Sequence, residues 1–148
     1  MRRAAVLLVA ALAAACAPKD RTPEIAARDG DAAALRTLLA SGLAPDARAS
    51  NGDPLLLVAC GPHGSPDAVA ALLQAGADPN AKGPDGRTPL MEASAWLKTR
   101  EATLILAKGA DPAARDRDGL AAEDHMGRAG PASEARFRAL LRAAKSGA

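Results

Sequence analysis

The sequence predicts an all-α fold, a repeat solenoid of about four helix-turn-helix units joined by β-turn or hairpin loops. Three observations carry this prediction. A ten-residue segment of nearly constant pattern begins at Leu38, Leu72 and Ile105, and its glycines are 34 and 33 residues apart. A second glycine-ending dipeptide follows ten residues after each of those glycines, and paired aliphatic residues precede them. A fixed period of this length is typical of stacked repeats.

Each copy of the segment is predicted to end one helix and to begin a loop. In the middle copy, Leu72 and Leu73 close an apolar helix face, and Gly76 lies where a helix C-terminus needs a left-handed residue. Pro79 then prevents the helix from resuming. The other two copies have the same helix-ending glycine and following proline, at Gly42 and Pro45 and at Gly109 and Pro112.

A second, shorter helix is predicted to follow each turn dipeptide. Thr88 is a favourable N-cap residue and Pro89 suits the first helical position, so a helix is expected from Pro89 to about Trp96. The preceding copy reads Asp-Pro-Leu-Leu, and Asp53 is expected to cap its helix in place of threonine. The unit is therefore a turn, a short helix, a tight connection, a second helix and a loop.

This pattern resembles the ankyrin repeat. The matching features are a turn glycine, Thr-Pro-Leu-x, an alanine-rich first helix, Leu-Leu and Gly-Ala-Asp-Pro-Asn-Ala. The resemblance covers roughly residues 22–144 and is strongest in 49–81 and 82–114. Where ankyrin repeats usually have histidine after Thr-Pro-Leu, this chain has Leu56 and Met91, so the usual Thr–His hydrogen bonds are not expected.

The resemblance implies one repeat domain with atypical ends. The second unit is expected to carry two extra residues around Gly61–Gly64. The fourth unit keeps its turn but lacks Thr-Pro, and His125 is expected to lie in its first helix. End units cap the stack, so irregularity there is expected. The predicted repeat domain is 23–146, with units at about 23–48, 49–81, 82–114 and 115–146.

The N-terminus is predicted to be an export signal, at residues 1–15, followed by a lipidated tether at 16–22. Two arginines precede twelve uncharged apolar residues, which are too few to span a bilayer. Small residues before Cys16 fit an ordinary signal peptidase, and the same stretch resembles a bacterial lipoprotein box. The resemblance favours acylation of Cys16. In lipoproteins of this type, a residue other than Asp after the cysteine favours sorting to the outer membrane, and Ala17 is such a residue.

Charge gives no argument for a nucleic-acid partner. Without the leader, the chain has 17 basic and 17 acidic residues, one Trp and one Phe. The C-terminal segment is nevertheless basic, and either a solvated capping face or a contact with anionic lipid or an acidic partner would account for it. The basic residues of this segment are Arg128, Arg136, Arg138, Arg142 and Lys145.

No arrangement of residues predicts an enzyme, a metal site or a cofactor. Cys60 and His63 form a Cys-x-x-His pair, but zinc usually needs four ligands and no second pair has suitable spacing. A buried structural cysteine is favoured, and a metal ligand or reactive thiol is the alternative. His125 has no sequence neighbour that would make it a catalytic base.

Surface recognition is the function that the resemblance implies. Ankyrin repeats usually bind proteins through their turn tips and the exposed side of the first helices. Trp96 is the strongest candidate because aromatic anchors dominate interface energies, although packing against a neighbouring unit would explain it equally. Carried over by position, the candidate protein-binding residues are Ser50, Asn51, His63, Asp85, Arg87, Glu92, Trp96, Arg117 and Asp118.

The sequence therefore predicts an exported binding or scaffolding protein, anchored to the membrane through Cys16, facing the periplasm and monomeric. Its expected partner is an envelope protein. Two alternatives stay open. One is a redox or metal-handling protein that uses Cys60 and His63, and the other is a protective or immunity protein that occludes a periplasmic enzyme or toxin.

Overall fold

The computed structural model describes residues 21–147 and contains seven helices in that range. The predicted leader and Cys16 lie outside the described residues. No helix within the described range is long and apolar enough to cross a membrane. The helices are α1 (Pro23–Arg28), α2 (Ala32–Ala40), α3 (Leu55–Ala59), α4 (Pro66–Gln74), α5 (Pro89–Ala95), α6 (Thr99–Ala107) and α7 (Pro131–Ser146).

The helices form two stacked rows. The short helices α1, α3 and α5 pack in one row, and α2, α4 and α6 pack in the other. Within each pair the first helix also contacts the second, and α7 packs against α6 at the end of the stack. The predicted all-α repeat solenoid is confirmed. The hairpin loops contain almost no β-structure. The single β-bridge within the described residues is antiparallel and joins Arg48 and Pro54.

Glycines end the second helices as predicted. Gly42, Gly76 and Gly109 have φ angles of 105°, 99° and 91°, in the region that residues with a Cβ rarely adopt. At the start of the short first helix α5, Thr88 Oγ1 accepts the Met91 N–H at 3.4 Å, so the predicted N-cap is confirmed. Met91 Sδ accepts the Thr88 N–H in return, also at 3.4 Å.

The core is a continuous apolar row along the second helices. Leu35, Leu72 and Ile105 are fully buried at corresponding positions of α2, α4 and α6. Val69 and Ala102 are also fully buried, and the remaining aliphatic residues of these helices pack against the cluster. The apolar helix face predicted at Leu72 and Leu73 is therefore confirmed, since both side chains are buried.

Hydrogen bonds repeat between neighbouring units with the sequence period. The Asp78 N–H donates to Asp46 Oδ1 at 2.8 Å, and the Asp111 N–H donates to Asn80 Oδ1 at the same distance. Lys98 Nζ donates to the carbonyl of Gly64 at 3.0 Å. These bonds connect loop to loop, so they fix the register that the apolar row alone would leave free to slide.

The expected cap at Asp53 is wrong. Helix α3 has Pro54 at its N-cap position and no side-chain cap. Asp53 is held instead by its own turn, because the Asn51 side-chain amide donates to Asp53 Oδ2 at 2.7 Å and the Asp53 N–H donates back to Asn51 Oδ1 at 3.0 Å. Local side-chain bonds of this kind compete with helix capping.

The insertion predicted in the second unit is confirmed. Helix α4 begins 12 residues after Pro54, whereas α6 begins 10 residues after Pro89. The longer connection stays tight against α3, because a Cβ on Gly64 would lie 1.8 Å from the carbonyl oxygen of Ala59.

The expected helix around His125 is wrong. Residues 122–125 form a turn, residues 126–130 are in no helix, and the next helix begins only at Pro131. The Ala121 N–H donates to Asp124 Oδ2 at 2.8 Å, which closes a local turn instead of a helix. Gly130 has a φ of 95°, so the chain turns sharply before α7. The end of the stack is therefore covered by one helix of 16 residues.

Removing part of the apolar row should lower stability strongly. We expect Leu72→Ala, at a fully buried position of α4, to lower the free energy of unfolding by about 2–5 kcal/mol. Gln74→Ala, two residues further along the same helix and exposed, should change it by less than about 0.5 kcal/mol. Urea unfolding followed by circular dichroism measures both. Equal midpoints for the two variants would contradict the described core.

Candidate functional site

Two adjoining hollows lie on the side of the molecule that carries the turns. Each has a volume of about 310 Å³, and both are lined by Asp85 and Arg87. We call the residues of the two hollows together the turn-side surface. The first hollow is also lined by Arg28, Asn51, Asp53, Leu57, Val58, Gly61, Pro62, His63 and Glu92. The second is also lined by Asp116, Arg117, Asp118 and His125.

The turn-side surface brings together seven of the nine residues predicted from the sequence. Ser50 and Trp96 line neither hollow. The Ser50 N–H and hydroxyl donate to the Glu24 carboxylate at 2.9 and 3.1 Å. These two bonds lower the pKa of Glu24. Ser50 thus ties its turn to α1, the first helix of the preceding pair.

Backbone contact sets the spacing of neighbouring turn tips. The Arg117 N–H donates to the carbonyl of Asp85 at 3.1 Å. Gly86, which follows Asp85 in the first of these tips, has a φ of 76°, and a Cβ there would lie 3.0 Å from Arg117 N. The turn glycine thus permits both the backbone angle and the close approach of the next unit.

One carboxylate orients the two side chains best suited to protein recognition. Glu92 Oε2 lies 3.0 Å from Arg87 Nη2, and Glu92 Oε1 accepts a hydrogen bond from Trp96 Nε1 at 2.8 Å. Trp96 is nevertheless 50% exposed. Its indole is therefore fixed by a polar bond at its edge while half of its surface faces solvent.

Arg87 has hydrogen-bonding capacity left over. Its Nε is buried and has no partner among residues 21–147. Arg87 as a residue lines both hollows. Glu92 thus connects Arg87, which lines both hollows, to Trp96, which lies beside them.

His125 and Asp116 form a hydrogen-bonding contact in the lining of the second hollow. His125 Nε2 lies 2.6 Å from Asp116 Oδ2, and the Asp116 side chain is 3% exposed. Partial burial opposes ionisation of Asp116, but the N–H groups of Leu120 and Asp118 and the His125 ring outweigh it and lower the pKa of this carboxyl. This pair fixes the turn where the expected helix is missing.

Cys60 is enclosed in the core. Its side chain is fully buried, as the favoured interpretation predicted. Burial raises the pKa of the thiol, and the nearby Glu101 and Glu92 carboxylates raise it further, while Lys98 acts in the opposite direction. Within the described part of the chain, no three His, Cys, Asp or Glu side chains are grouped to hold a metal ion.

Several lining residues were not predicted from the sequence. Aligning the helices on Pro54 and Pro89 places Leu57 at the position of Glu92, so the repeat register could have found it. Nothing in the repeat pattern predicts the contact between Asp116 and His125, because it depends on a turn at a place where the pattern predicts a helix.

The buried thiol gives a direct test of the fold around the site. We expect Cys60 to react with a thiol-specific reagent only as fast as the protein unfolds, because the reactive thiolate is disfavoured and inaccessible. The rate of labelling as urea is raised measures this. Rapid stoichiometric labelling of Cys60 in native buffer, while circular dichroism shows the folded state, would contradict it.

The Asp116 carboxylate should make stability depend on acid pH. Its pKa is lower in the folded state, so its contribution is complete above the unfolded pKa near 4 and is lost as pH falls through the folded pKa. We expect Asp116→Asn to lower the urea midpoint at pH 7, and the deficit to shrink towards pH 2. Asp118→Asn, at an exposed position of the same turn, is the control. A deficit that does not change with pH would contradict the assignment.

Comparison with known proteins agrees with this architecture. The family model for ankyrin repeats (3 copies) matches residues 24–116. An ankyrin repeat protein of Pyrobaculum aerophilum is 45% identical over 69 residues, which is 47% of this chain and 25% of that protein. The chain therefore matches only about a quarter of the length of this relative. The chain belongs to the ankyrin-repeat family, whose members are typically non-enzymatic modules for binding other proteins.

Proposed function

We propose that this chain is an exported ankyrin-repeat module that binds an envelope protein through the turn-side surface. One observation supports it most strongly: Glu92 holds Arg87 and a half-exposed Trp96 in fixed positions. Tryptophan and arginine are the residue types that dominate interface energies. Side chains that are already oriented lose less conformational freedom on binding, so more of their contact energy contributes to affinity.

The composition of the turn-side surface also suits a protein partner. It combines arginines, aspartates and two histidines with the apolar side chains of Leu57, Val58 and Pro62. Two hollows of about 310 Å³ each, which share Asp85 and Arg87, offer space for side chains of a partner. An apolar centre with a charged rim is the common anatomy of such interfaces.

Export and membrane anchoring are supported by the sequence alone. The basic start, the apolar stretch and the small residues before Cys16 are typical of a cleaved leader. We propose that Cys16 is acylated and that the repeat domain faces the periplasm from the outer membrane. The partner would then be an envelope protein. Protection of the cell by occlusion of a periplasmic enzyme or toxin is a narrower form of the same function.

The redox or metal-handling alternative has less support. His63 is exposed, but the Cys60 thiol is fully buried and its pKa is raised. A thiol in that environment is a poor nucleophile and a poor metal ligand. Protein binding remains the function that we propose.

Partner binding should depend on Trp96 and Arg117. We expect a stoichiometric partner to co-purify from envelope fractions in mild detergent, and Trp96→Ala to weaken its affinity by roughly 10- to 30-fold. Trp96→Phe keeps an aromatic ring but loses the five-membered ring of the indole and the N–H that donates to Glu92, so we expect an intermediate loss of affinity. Arg117→Ala should also weaken binding. Affinities are measured with the purified partner by calorimetry.

The controls lie outside the turn-side surface. Arg36→Ala and Lys108→Ala change exposed residues of α2 and of the end of α6, and should leave the affinity unchanged. Urea midpoints of all the variants show that they are folded. If Trp96→Ala, next to the turn-side surface, and Arg117→Ala, within it, both bind as tightly as the controls, the turn-side surface is not the interface.

The anchor has its own test. Mass spectrometry of the mature protein should show a chain that begins at a diacylated or triacylated Cys16. Cys16→Ser should release the protein from the membrane fraction into the soluble periplasm. An unmodified N-terminus at or after Cys16 would rule out the lipid anchor while leaving the protein-binding function open.

A further inference from the structure

Charge is divided unequally along the described chain. Residues 21–127 contain 11 basic and 15 acidic residues, whereas residues 128–147 contain five basic residues and one acidic residue. The body of the repeats is therefore net negative by four, and its C-terminal segment is net positive by four, with histidines neutral. Such asymmetry within one chain is typical of an interaction with a polyanion or a charged surface.

Helix α7 has a buried face and an arginine-bearing outer face. Phe137 and Leu141 are fully buried against the stack. Successive helical residues are rotated by about 100°, so Arg138 and Arg142 lie together on one side of the outer face, with Arg136 on its other side. All three are exposed. The strip between them consists of exposed alanines: Ala132, Ala135, Ala139 and Ala143.

These arginines are not neutralised within the described chain. Arg128, Arg136, Arg138 and Arg142 make no ion pair or side-chain hydrogen bond in residues 21–147. Lys145 differs, because its Nζ lies 2.6 Å from Glu123 Oε2. The single acidic residue of α7, Glu134, is partly buried rather than on the outer face. The outer face therefore presents positive charge alone.

We propose that the outer face of α7 docks on the surface of an anionic lipid bilayer. Because the alanine side chains are short, the strip does not project beyond the arginines. Arginines on both sides of the strip can therefore reach the phosphates of one flat surface. Guanidinium groups bind phosphate oxygens with two parallel hydrogen bonds. Each basic residue near an anionic membrane contributes about a fivefold factor to binding.

The same features disfavour other anionic partners. Helix α7 has one aromatic residue, and it is buried, so the face offers no ring on which a nucleic-acid base could stack. The alanine strip offers no aromatic or large apolar anchor for an acidic protein. The acidic body is repelled by an anionic surface, which orients the molecule with α7 towards the lipid. None of the residues of the turn-side surface lies in α7, so partner binding and lipid docking use separate residues.

The test measures binding of the full chain carrying Cys16→Ser, so that no acyl group contributes. Vesicles of phosphatidylcholine alone are compared with vesicles that also contain phosphatidylglycerol. The triple variant with Arg136→Gln, Arg138→Gln and Arg142→Gln should lose affinity for the anionic vesicles by on the order of 100-fold. Its affinity for neutral vesicles should not change, and salt should weaken anionic binding of the parent.

A matched control separates the face of α7 from net charge. Arg36→Gln, Arg100→Gln and Lys108→Gln together remove the same charge from exposed positions elsewhere and should reduce anionic binding by less than about fivefold. Urea midpoints confirm that both triple variants are folded. Equal losses in the two triples would overturn the proposal. So would tighter salt-dependent binding to single-stranded DNA or to polyglutamate than to the anionic vesicles. Neither result bears on the protein partner or on acylation of Cys16.

Discussion

The structure depends on contact between consecutive units, because no unit is stable by itself. Helices α1 to α6 have between five and nine residues, which is too short for a helix to persist alone in water. Burial of Leu35, Leu72 and Ile105 in one row supplies the missing free energy. Hydrogen bonds between loops, such as the one from Asp78 N–H to Asp46 Oδ1, fix how neighbouring units align. Apolar contact drives the stacking, and the loop bonds select its register.

The candidate site is a consequence of that register. A hollow shared by the turns of different units exists only if each turn arrives at a constant distance from the next. The bond from Arg117 N–H to the Asp85 carbonyl sets that distance. Within one unit, Glu92 then orients Arg87 and Trp96. The repeat supplies spacing, and substitutions at a few exposed positions supply recognition. Repeat proteins of one fold can therefore bind different partners.

Most of the fold could be predicted from the sequence, because its signals are backbone requirements. A left-handed residue at Gly76 or a cap at Thr88 is a local demand that few residue types satisfy. The failures occurred where two local solutions compete. Asp53 bonds its own turn instead of capping α3. The site was predicted in outline from position alone, but the Glu92 bonds depend on side-chain conformations that a periodic pattern does not specify.

The fourth unit shows how the loss of one element changes the others. Without a first helix after residue 120, no helix of the described chain continues the row of α1, α3 and α5, and the turn segment packs there instead, with the Gly127 N–H donating to the Ser94 carbonyl at 3.3 Å. A contact between Asp116 and His125 fixes the turn that replaces it. Helix α7, with 16 residues, covers the end of the row of α2, α4 and α6, with Phe137 and Leu141 inside. A capping helix needs a polar outer face to keep the stack from growing. Any charged or neutral polar residue would satisfy that requirement, so solubility alone does not account for arginines on both sides of the outer face with no acidic residue between them. The use of arginine at these positions therefore indicates that the outer face of α7 is a second binding surface as well as a cap.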